Sequence, residues 1–316
     1  MIDKNKIILV TWATWFIWSN LVRKLIELWY NNINIIARNN SNFWRIDDIK
    51  DRIKISYVSL LDIENLNNLL LDIKPNIIFH LAAAWANIWR DWRWIIEIFE
   101  QNTIWTINLI NACKEVWFDY FVNTWSSSEY WEKNKPITEN DLLEPNNEYW
   151  ISKATSSMYA SYIWKKYNLP IYTFRLFAVY WYFEDKNRLI PTIMLNYTNW
   201  KSPNLTTPNS VRDYIFIDDV IKYYLNINKL SWDFWWVYNI WNWIQYSIWE
   251  IVEKIKNISK KKLNANYWAV SIKQNEPKVW LSDNNKTKKA FEIKLTPIDE
   301  WLEKSYKWFQ KNYNIY

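Results

Sequence analysis

The sequence predicts an α/β fold: a doubly wound parallel sheet that carries a smaller C-terminal substrate-binding region. Three observations predict it. Short β-rich apolar runs alternate with helically periodic segments up to about residue 180. The first run leads straight into a turn with the rhythm of a phosphate-binding loop, "LVTWATWFIWSNLV" (9–22). Beyond residue 180 the alternation gives way to irregular segments with prolines at 191, 203 and 208.

The elements follow in order. "KIILV" (6–10) reads as the first strand, and "SNLVRKLIELW" as the helix after the turn, with Trp29 where a C-terminal glycine cap belongs. "INIIA" (33–37) and "IKISYVS" (53–59) are the next strands, "IENLNNLLLDI" is a helix, and "PNIIFHLAA" (75–83) is a buried strand. A long helical segment ends near Val116, and "FVNTWSSS" (121–128) is a further strand. "LPIYTFRLFAVY" (169–180) returns to the sheet as a late strand. Helices are expected near 218–229, 247–258 and from Ile298 to Asn312. This divides the chain into a dinucleotide-binding part, 1–180, and a substrate-binding part, 181–316, interleaved with the sheet.

The composition is abnormal in one respect. The 316 residues include 27 Trp and no Gly, where roughly 22 glycines are usual for this length. A globular chain needs glycine for left-handed turns and for close approach of main chain to ligands, and tryptophan does neither. Most Trp positions are therefore read as glycine positions, for instance through a UGA codon that means glycine in the source organism. An intact mass of the natural protein that fits the printed sequence would end this reading.

The net charge of +6 is spread among acidic residues, and the one dense run, Lys260 to Lys262, reads as a solvated face. Nucleic acid is not an expected partner. The single Cys113 excludes an internal disulfide and fits a reducing cytosol. No run is long and apolar enough for a membrane span, and the N-terminus lacks a signal-peptide layout. The expectation is a cytoplasmic, soluble protein.

With glycine at Trp12, Trp15 and Trp18, the opening becomes G-x-x-G-x-x-G between a strand and a helix. Bare main chain and the helix N-terminus then suit a dinucleotide diphosphate, with Phe16 and Ile17 at the helix start beside it. After the second strand stands Arg38, not an acidic residue, so a ribose 2′-phosphate is favoured over a free hydroxyl and NADP over NAD. Asp62, with Ile63 beside it, either accepts from the adenine amino group or caps the following helix.

The candidate chemistry lies in "TWSSSEYW" (124–131) and "YWISK" (149–153). Tyr149 and Lys153 share a helix face, and a nearby ammonium lowers a phenol's pKa. Tyr149 can then exchange a proton with a sugar hydroxyl while hydride moves to or from the cofactor. A strand-end serine would hold the same oxygen. Asn102 either supports the lysine through water or satisfies a helix. His80 has no His or Cys partner and reads as structural, so no metal is expected. Tyr214 and Phe216 read as core.

These motifs resemble the extended short-chain dehydrogenase/reductase family of nucleotide-sugar epimerases, dehydratases and reductases, over nearly the whole chain once Trp is read as Gly. "HLAAAWAN" is similar to the family's stretch beside the cofactor, which implicates Ala82 and Ala83. "RLFAVYW" is similar to its stretch near the nicotinamide and implicates Phe177. "VRDYIFIDDV" (211–220) resembles the segment whose arginine approaches the substrate phosphates, here Arg212, and "VYNIWNW" (237–243) resembles its Y-N-I-G-x-G turn. The nearest likeness is to CDP-paratose synthase-like and GDP-deoxymannose reductase-like proteins. There Trp44, Trp280 and Trp308 fit as written.

The resemblance implies a Rossmann fold, a nucleotide-activated hexose as substrate and a homodimer. It implies Ser126, Tyr149 and Lys153 as catalytic, with Ser127 the near alternative to Ser126, and Ser127, Arg188 and Arg212 on the substrate. The family's 4,6-dehydratases carry Asp–Glu where this chain has Ser127 and Ser128, which argues against water loss and leaves epimerisation or 4-keto reduction at sugar C4. Ala178 departs from the Asn common there. The rival reading is a non-catalytic dinucleotide-binding or scaffold protein, which gains if the tryptophans are real.

Overall fold

A computed structural model describes the chain except residues 14–15, 82–91, 132, 134, 181, 231–235, 272–281 and 284. Alternation of strand and helix runs as expected: β1 (Ile8–Thr11), α1 (Phe16–Glu27), β2 (Ile33–Ala37), β3 (Lys54–Tyr57), α2 (Ile63–Ile73) and β4 (Ile77–His80). Then come α3 (Trp92–Phe99), α4 (Trp105–Lys114), β5 (Tyr120–Ser126), α5 (Glu148–Tyr167) and β6 (Ile171–Leu176). The second half contains β7 (Ala178–Tyr180), α6 (Leu189–Thr198), β8 (Val211–Phe216), α7 (Ile217–Leu225) and β9 (Val237–Ile240). It closes with β10 (Gln245–Ser247), α8 (Ile248–Ser259), α9 (Asn285–Phe291) and α10 (Ile298–Asn312).

Seven strands form one parallel sheet in the order β3-β2-β1-β4-β5-β6-β9. The order reverses between β1 and β4, and in such sheets the crevice beyond the strand ends at that point receives the ligand. β1, β2 and β4 are buried throughout, as strands covered on both faces must be. A second sheet, β10-β8-β7, lies in the C-terminal half.

Two expected elements differ in a way that matters for the site. The run 169–180 is two strands: β6 pairs with β5 and β9, whereas β7 pairs with β8 in the small sheet. The chain changes sheets at Phe177, whose N–H donates to Ile240 O (3.2 Å). The strand expected to reach residue 128 stops at Ser126, because its Oγ accepts from Ser128 N (3.2 Å) and caps a 3₁₀ turn over Ser127–Tyr130.

The backbone bears directly on the missing glycine. Among the described residues eleven non-glycine residues have positive φ, and six of these are Trp12, Trp29, Trp131, Trp200, Trp243 and Trp268, at φ between 56 and 80°. A bulky side chain in this region is strained. A second set, Trp18, Trp105, Trp125, Trp241, Trp243 and Trp301, buries an indole N–H with no hydrogen-bond partner. An indole N–H shut away from water normally finds one. Trp44 and Trp308 belong to neither set. Both pack edge-on against the Phe183 and Tyr316 rings, and the Arg45 guanidinium lies 4.3 Å over Trp44.

Candidate active site

The catalytic candidates meet where β5 ends and α5 begins. Asn147 caps α5, its Oδ1 accepting from Trp150 N (2.9 Å). Tyr149 therefore sits in the first turn, where the helix dipole favours a negative phenolate. The Tyr149 ring is partly exposed. Loss of water nevertheless pushes its phenol up to about 12, against the pull of the Arg188 guanidinium. Lys153, one turn on, is buried. Its ammonium lies 5.6 Å from the Tyr149 ring centre and 3.6 Å from that of Trp125. Burial drives Lys153 well below the ordinary lysine value, and the Glu129 carboxylate opposes that drop. Ser126, at the strand end, donates from Oγ to Ser128 Oγ (3.0 Å).

Asn102 is tied to α5, the helix that carries Lys153. It lies in a π-helical turn, Glu100–Ile104, between α3 and α4, a feature that recurs at functional sites. Its Nδ2 donates to Ser152 Oγ (2.8 Å) and its carbonyl accepts from Ser156 Oγ (2.6 Å). Thr103 Oγ1 adds a bond to Ser152 O (2.9 Å). The turn thus grips α5 just before and just after Lys153. The Asn102 carbonyl also accepts from Thr106 Oγ1 (2.8 Å), which pairs with His80 Nε2 (2.9 Å). His80 Nδ1 meets Thr11 Oγ1 (3.0 Å), whose oxygen accepts from Leu81 N (3.1 Å). With Thr106 already donating to a carbonyl, His80 carries its proton on Nε2 and accepts at Nδ1. Burial, helped by Lys153, lowers the ring to about 3, so His80 is a neutral strut between β1, β4 and α4.

Sequence reasoning missed the charged layer beneath these residues. Glu129 is fully buried and accepts from Arg175 Nε at 3.1 Å. Arg175 Nη1 donates to Tyr130 OH (2.5 Å), which donates to Asn239 Oδ1 (3.1 Å). The signal was thin: Glu129 lies one residue past the run 121–128 and Arg175 inside the run 169–180, and an acid and a base must pair if both are buried.

The cofactor candidates surround the β1–α1 turn. Trp12 follows β1 with φ 57° and donates its N–H to Ile36 O (3.1 Å). The main chain thus already has the left-handed course that a diphosphate-binding glycine takes. The side chain does not suit the ligand. Its ring stands edge-on to Trp105 at 4.8 Å and lies under the Arg38 guanidinium at 4.5 Å. The positive φ at position 12 is one that glycine takes freely, whereas an indole there leaves no bare backbone for a diphosphate. Phe16 and Ile17 open α1 and are partly buried, and Trp18 is fully buried against Phe79 and Tyr224. Arg38 Nε is buried without a hydrogen-bond partner. Asp62 caps α2, accepting from Asn65 N (3.2 Å) and Asn65 Nδ2 (2.7 Å), and Ile63 is exposed beside it. Phe177 is buried against Trp241. Trp15, Ala82 and Ala83 lie outside the described residues, as does Trp280.

On the substrate side, Ser127 is buried in the 3₁₀ turn. Arg188 precedes α6, half exposed, with its Nε 3.5 Å from Glu184. Arg212 is the second residue of β8, and its Nη1 donates to Val211 O (2.7 Å). The neighbouring Asp213 accepts from Asn242 N (2.8 Å) and Trp243 N (2.7 Å), tying β8 to the turn after β9. Burial raises the Asp213 carboxyl to about 7. Among the described residues no three His, Cys, Asp or Glu side chains gather as a metal ion would need, and no helix is long and apolar enough to cross a membrane.

Comparison with known proteins bears on the family and the fold. A profile of the NAD-dependent epimerase/dehydratase family matches residues 8–230. The chain is 26% identical to a dTDP-D-glucose 4,6-dehydratase of Dictyostelium discoideum, over 80% of this chain and 62% of that one. It is 24% identical to a CDP-abequose synthase of Salmonella muenchen, over 87% and 88%. It spans 48% of a trifunctional 4,6-dehydratase/epimerase/reductase of Arabidopsis thaliana. The fold matches a UDP-N-acetylglucosamine 4-epimerase of Methanobrevibacter ruminantium with a TM-score of 0.86, at 23% identity over 98% of this chain and 99% of that one. It also matches a UDP-glucuronic acid 4-epimerase of Bacillus cereus, solved with UDP-glucuronic acid and NAD, with a TM-score of 0.82 at 24% identity over 96% and 99%. The chain belongs to the NAD-dependent epimerase/dehydratase family.

Proposed function

We propose that the protein, with glycine at its strained turn positions, is an NAD(P)-dependent nucleotide-sugar epimerase or 4-keto reductase acting at sugar C4. The observation that carries this reading is Tyr149 in the first turn of α5, with Lys153 buried one turn below it. The nicotinamide, when bound, supplies the hydride exchange. Tyr149 Oη moves the proton of the sugar hydroxyl, and Ser126 Oγ holds the same oxygen. Lys153 lowers the cost of the phenolate. The resemblance assigns the substrate phosphates to Arg212, with Arg188 and Ser127 lining the sugar side. Arg38, with a buried Nε in want of an acceptor, supports NADP.

Dehydration is disfavoured on two counts. Ser127 and Ser128 cannot serve as acid and base near neutral pH. Glu129, the carboxylate next in sequence, is buried and held by Arg175.

A homodimer has support in an apolar stripe. Ile96 on α3 and Ile151, Met158 and Tyr162 on α5 are exposed, which is a surface that a second helix pair covers. The buried lone thiol Cys113 suits the reducing cytoplasm.

The test is a glycine-restored chain incubated with a panel of nucleotide sugars. An epimerase recycles its cofactor, whereas a reductase consumes NADPH or NADH in step with product. Cofactor binding without turnover of any sugar would favour the scaffold reading.

A further inference from the structure

We propose that Asp213 is a positioning residue for the diphosphate of the nucleotide sugar: from behind β8 it pins the turn after β9, and that turn holds the strand pair on which Arg212 stands. The proposal rests on the reading of Arg212 as the residue that grips the substrate phosphates. It concerns a neighbour to which the resemblance gives no part.

Two strands divide β8 between them. β7 pairs along Tyr214–Phe216, and β10 pairs along Val211–Asp213, with Tyr246 opposite Arg212 and Gln245 opposite Asp213. Among the described residues, the strand partner of the half that carries Arg212 is therefore β10. That strand has three residues, too short to keep its place unaided. Both of its ends are tied. At the far end Ile248 N donates to Ser210 O (3.0 Å). At the near end the Asp213 carboxylate takes two consecutive main-chain amides, Oδ1 from Asn242 N (2.8 Å) and Oδ2 from Trp243 N (2.7 Å).

Successive side chains on a strand leave it on opposite faces. Arg212 is partly exposed, whereas Asp213 is 2% exposed, so the acid acts from the side away from the arginine. The pinned turn is also a crossing between the two sheets, since it leads from β9 in the large sheet to β10 in the small one. Trp241 in this turn packs on Phe177, where the other crossing lies. Trp243 takes φ 80°, a course that only an outside tie or a glycine makes comfortable. A buried carboxylate that receives two main-chain N–H groups makes strong, charge-assisted bonds. An amide in its place offers one acceptor oxygen and turns its own NH₂ towards the other N–H, which is left unpaired. The turn then loses a tie, β10 loosens, and Arg212 no longer stands where a diphosphate needs it.

The test is calorimetric titration of the full-length, glycine-restored chain at pH 8, above the value of about 7 to which burial raises this carboxyl. The probes are UDP, CDP, GDP and dTDP, each alone, and separately the tighter of NADH and NADPH. In Asp213→Asn the affinity for the best-bound nucleoside diphosphate is expected to fall about tenfold or more, with dinucleotide affinity kept within about threefold. Asp213→Glu, which keeps the carboxylate, is expected to lose less. Arg212→Gln reports on the underlying reading. If Arg212→Gln weakens the nucleoside diphosphate and folded Asp213→Asn does not, the proposal is overturned and the reading of Arg212 stands. If the parent binds none of the four, or Arg212→Gln binds as the parent does, that reading fails and the proposal with it. An equal fall in dinucleotide affinity would also overturn the proposal, since it would make Asp213 a prop of the whole fold. If Asp213→Asn does not fold, Asp213→Glu takes its place: its extra methylene displaces the turn, a loss of about threefold or more is expected, and an unchanged affinity overturns the proposal.

Discussion

The two ends of the site make contrary demands on the sequence. At the β1–α1 turn the requirement is an absent side chain: the main chain takes the left-handed course at Trp12, and an indole sits on it. At the β5–α5 junction the requirement is particular side chains, and Ser126, Tyr149 and Lys153 stand on the elements that would use them. The difference teaches where a change of glycine to tryptophan does harm. Chemistry carried by side chains survives it, whereas binding carried by bare backbone does not.

The strongest way to break that comparison is at the turn itself. Trp12→Gly, made together with Trp15→Gly and Trp18→Gly, should tighten dinucleotide binding at least about a hundredfold, or about 2.8 kcal/mol, in calorimetric titration. Equal binding by both chains would mean that the turn never needed bare backbone. At the other end, in the glycine-restored chain, Tyr149→Phe should lower turnover by about a hundredfold or more with cofactor affinity kept. A joint loss of both would mean that the ends are not separable.

Stability sharpens the same contrast. Trp29, Trp200 and Trp268 are exposed, at 70%, 71% and 65%, and left-handed. Each change to Gly should raise stability by about 1 kcal/mol in denaturant unfolding. Trp308→Gly should act in the opposite sense, by about 3 kcal/mol, since its ring packs on Tyr182, Phe183 and Tyr316.

His80 gives a pH test of the strut between the two ends. Its folded value of about 3 lies below the 6.5 of an unfolded chain. The unfolded state therefore binds the extra proton first, and stability falls as pH drops from 6.5 towards 3, by about 1.4 kcal/mol per unit. His80→Gln, unable to take that proton, should lose less over this range. The smallest effect is expected of Asp62→Ala: a slight drop in melting temperature through loss of the α2 cap, and no change in cofactor affinity.

What the sequence made legible follows from which physics is local. Strand and helix alternation is written in periodicity, so α10 appears as read, Ile298–Asn312, β2 and β4 fall inside their expected runs, and β1 runs one residue past its own. The change of sheet at Phe177 was not legible, because pairing partners at long range decide it. Asp62 had two readings, and its bonds to Asn65 display the cap. The π-helical turn that carries Asn102 was not legible, because such a turn leaves no mark in spacing. Glu129 and Arg175 escaped notice since each looks ordinary until the fold buries both.

The measurement that bears most directly on the whole account is tandem mass spectrometry of the tryptic peptide Ile7–Arg23 from the source organism. The account predicts glycine residue masses at 12, 15 and 18. Tryptophan masses at those positions, in a protein isolated with its dinucleotide bound, would contradict it.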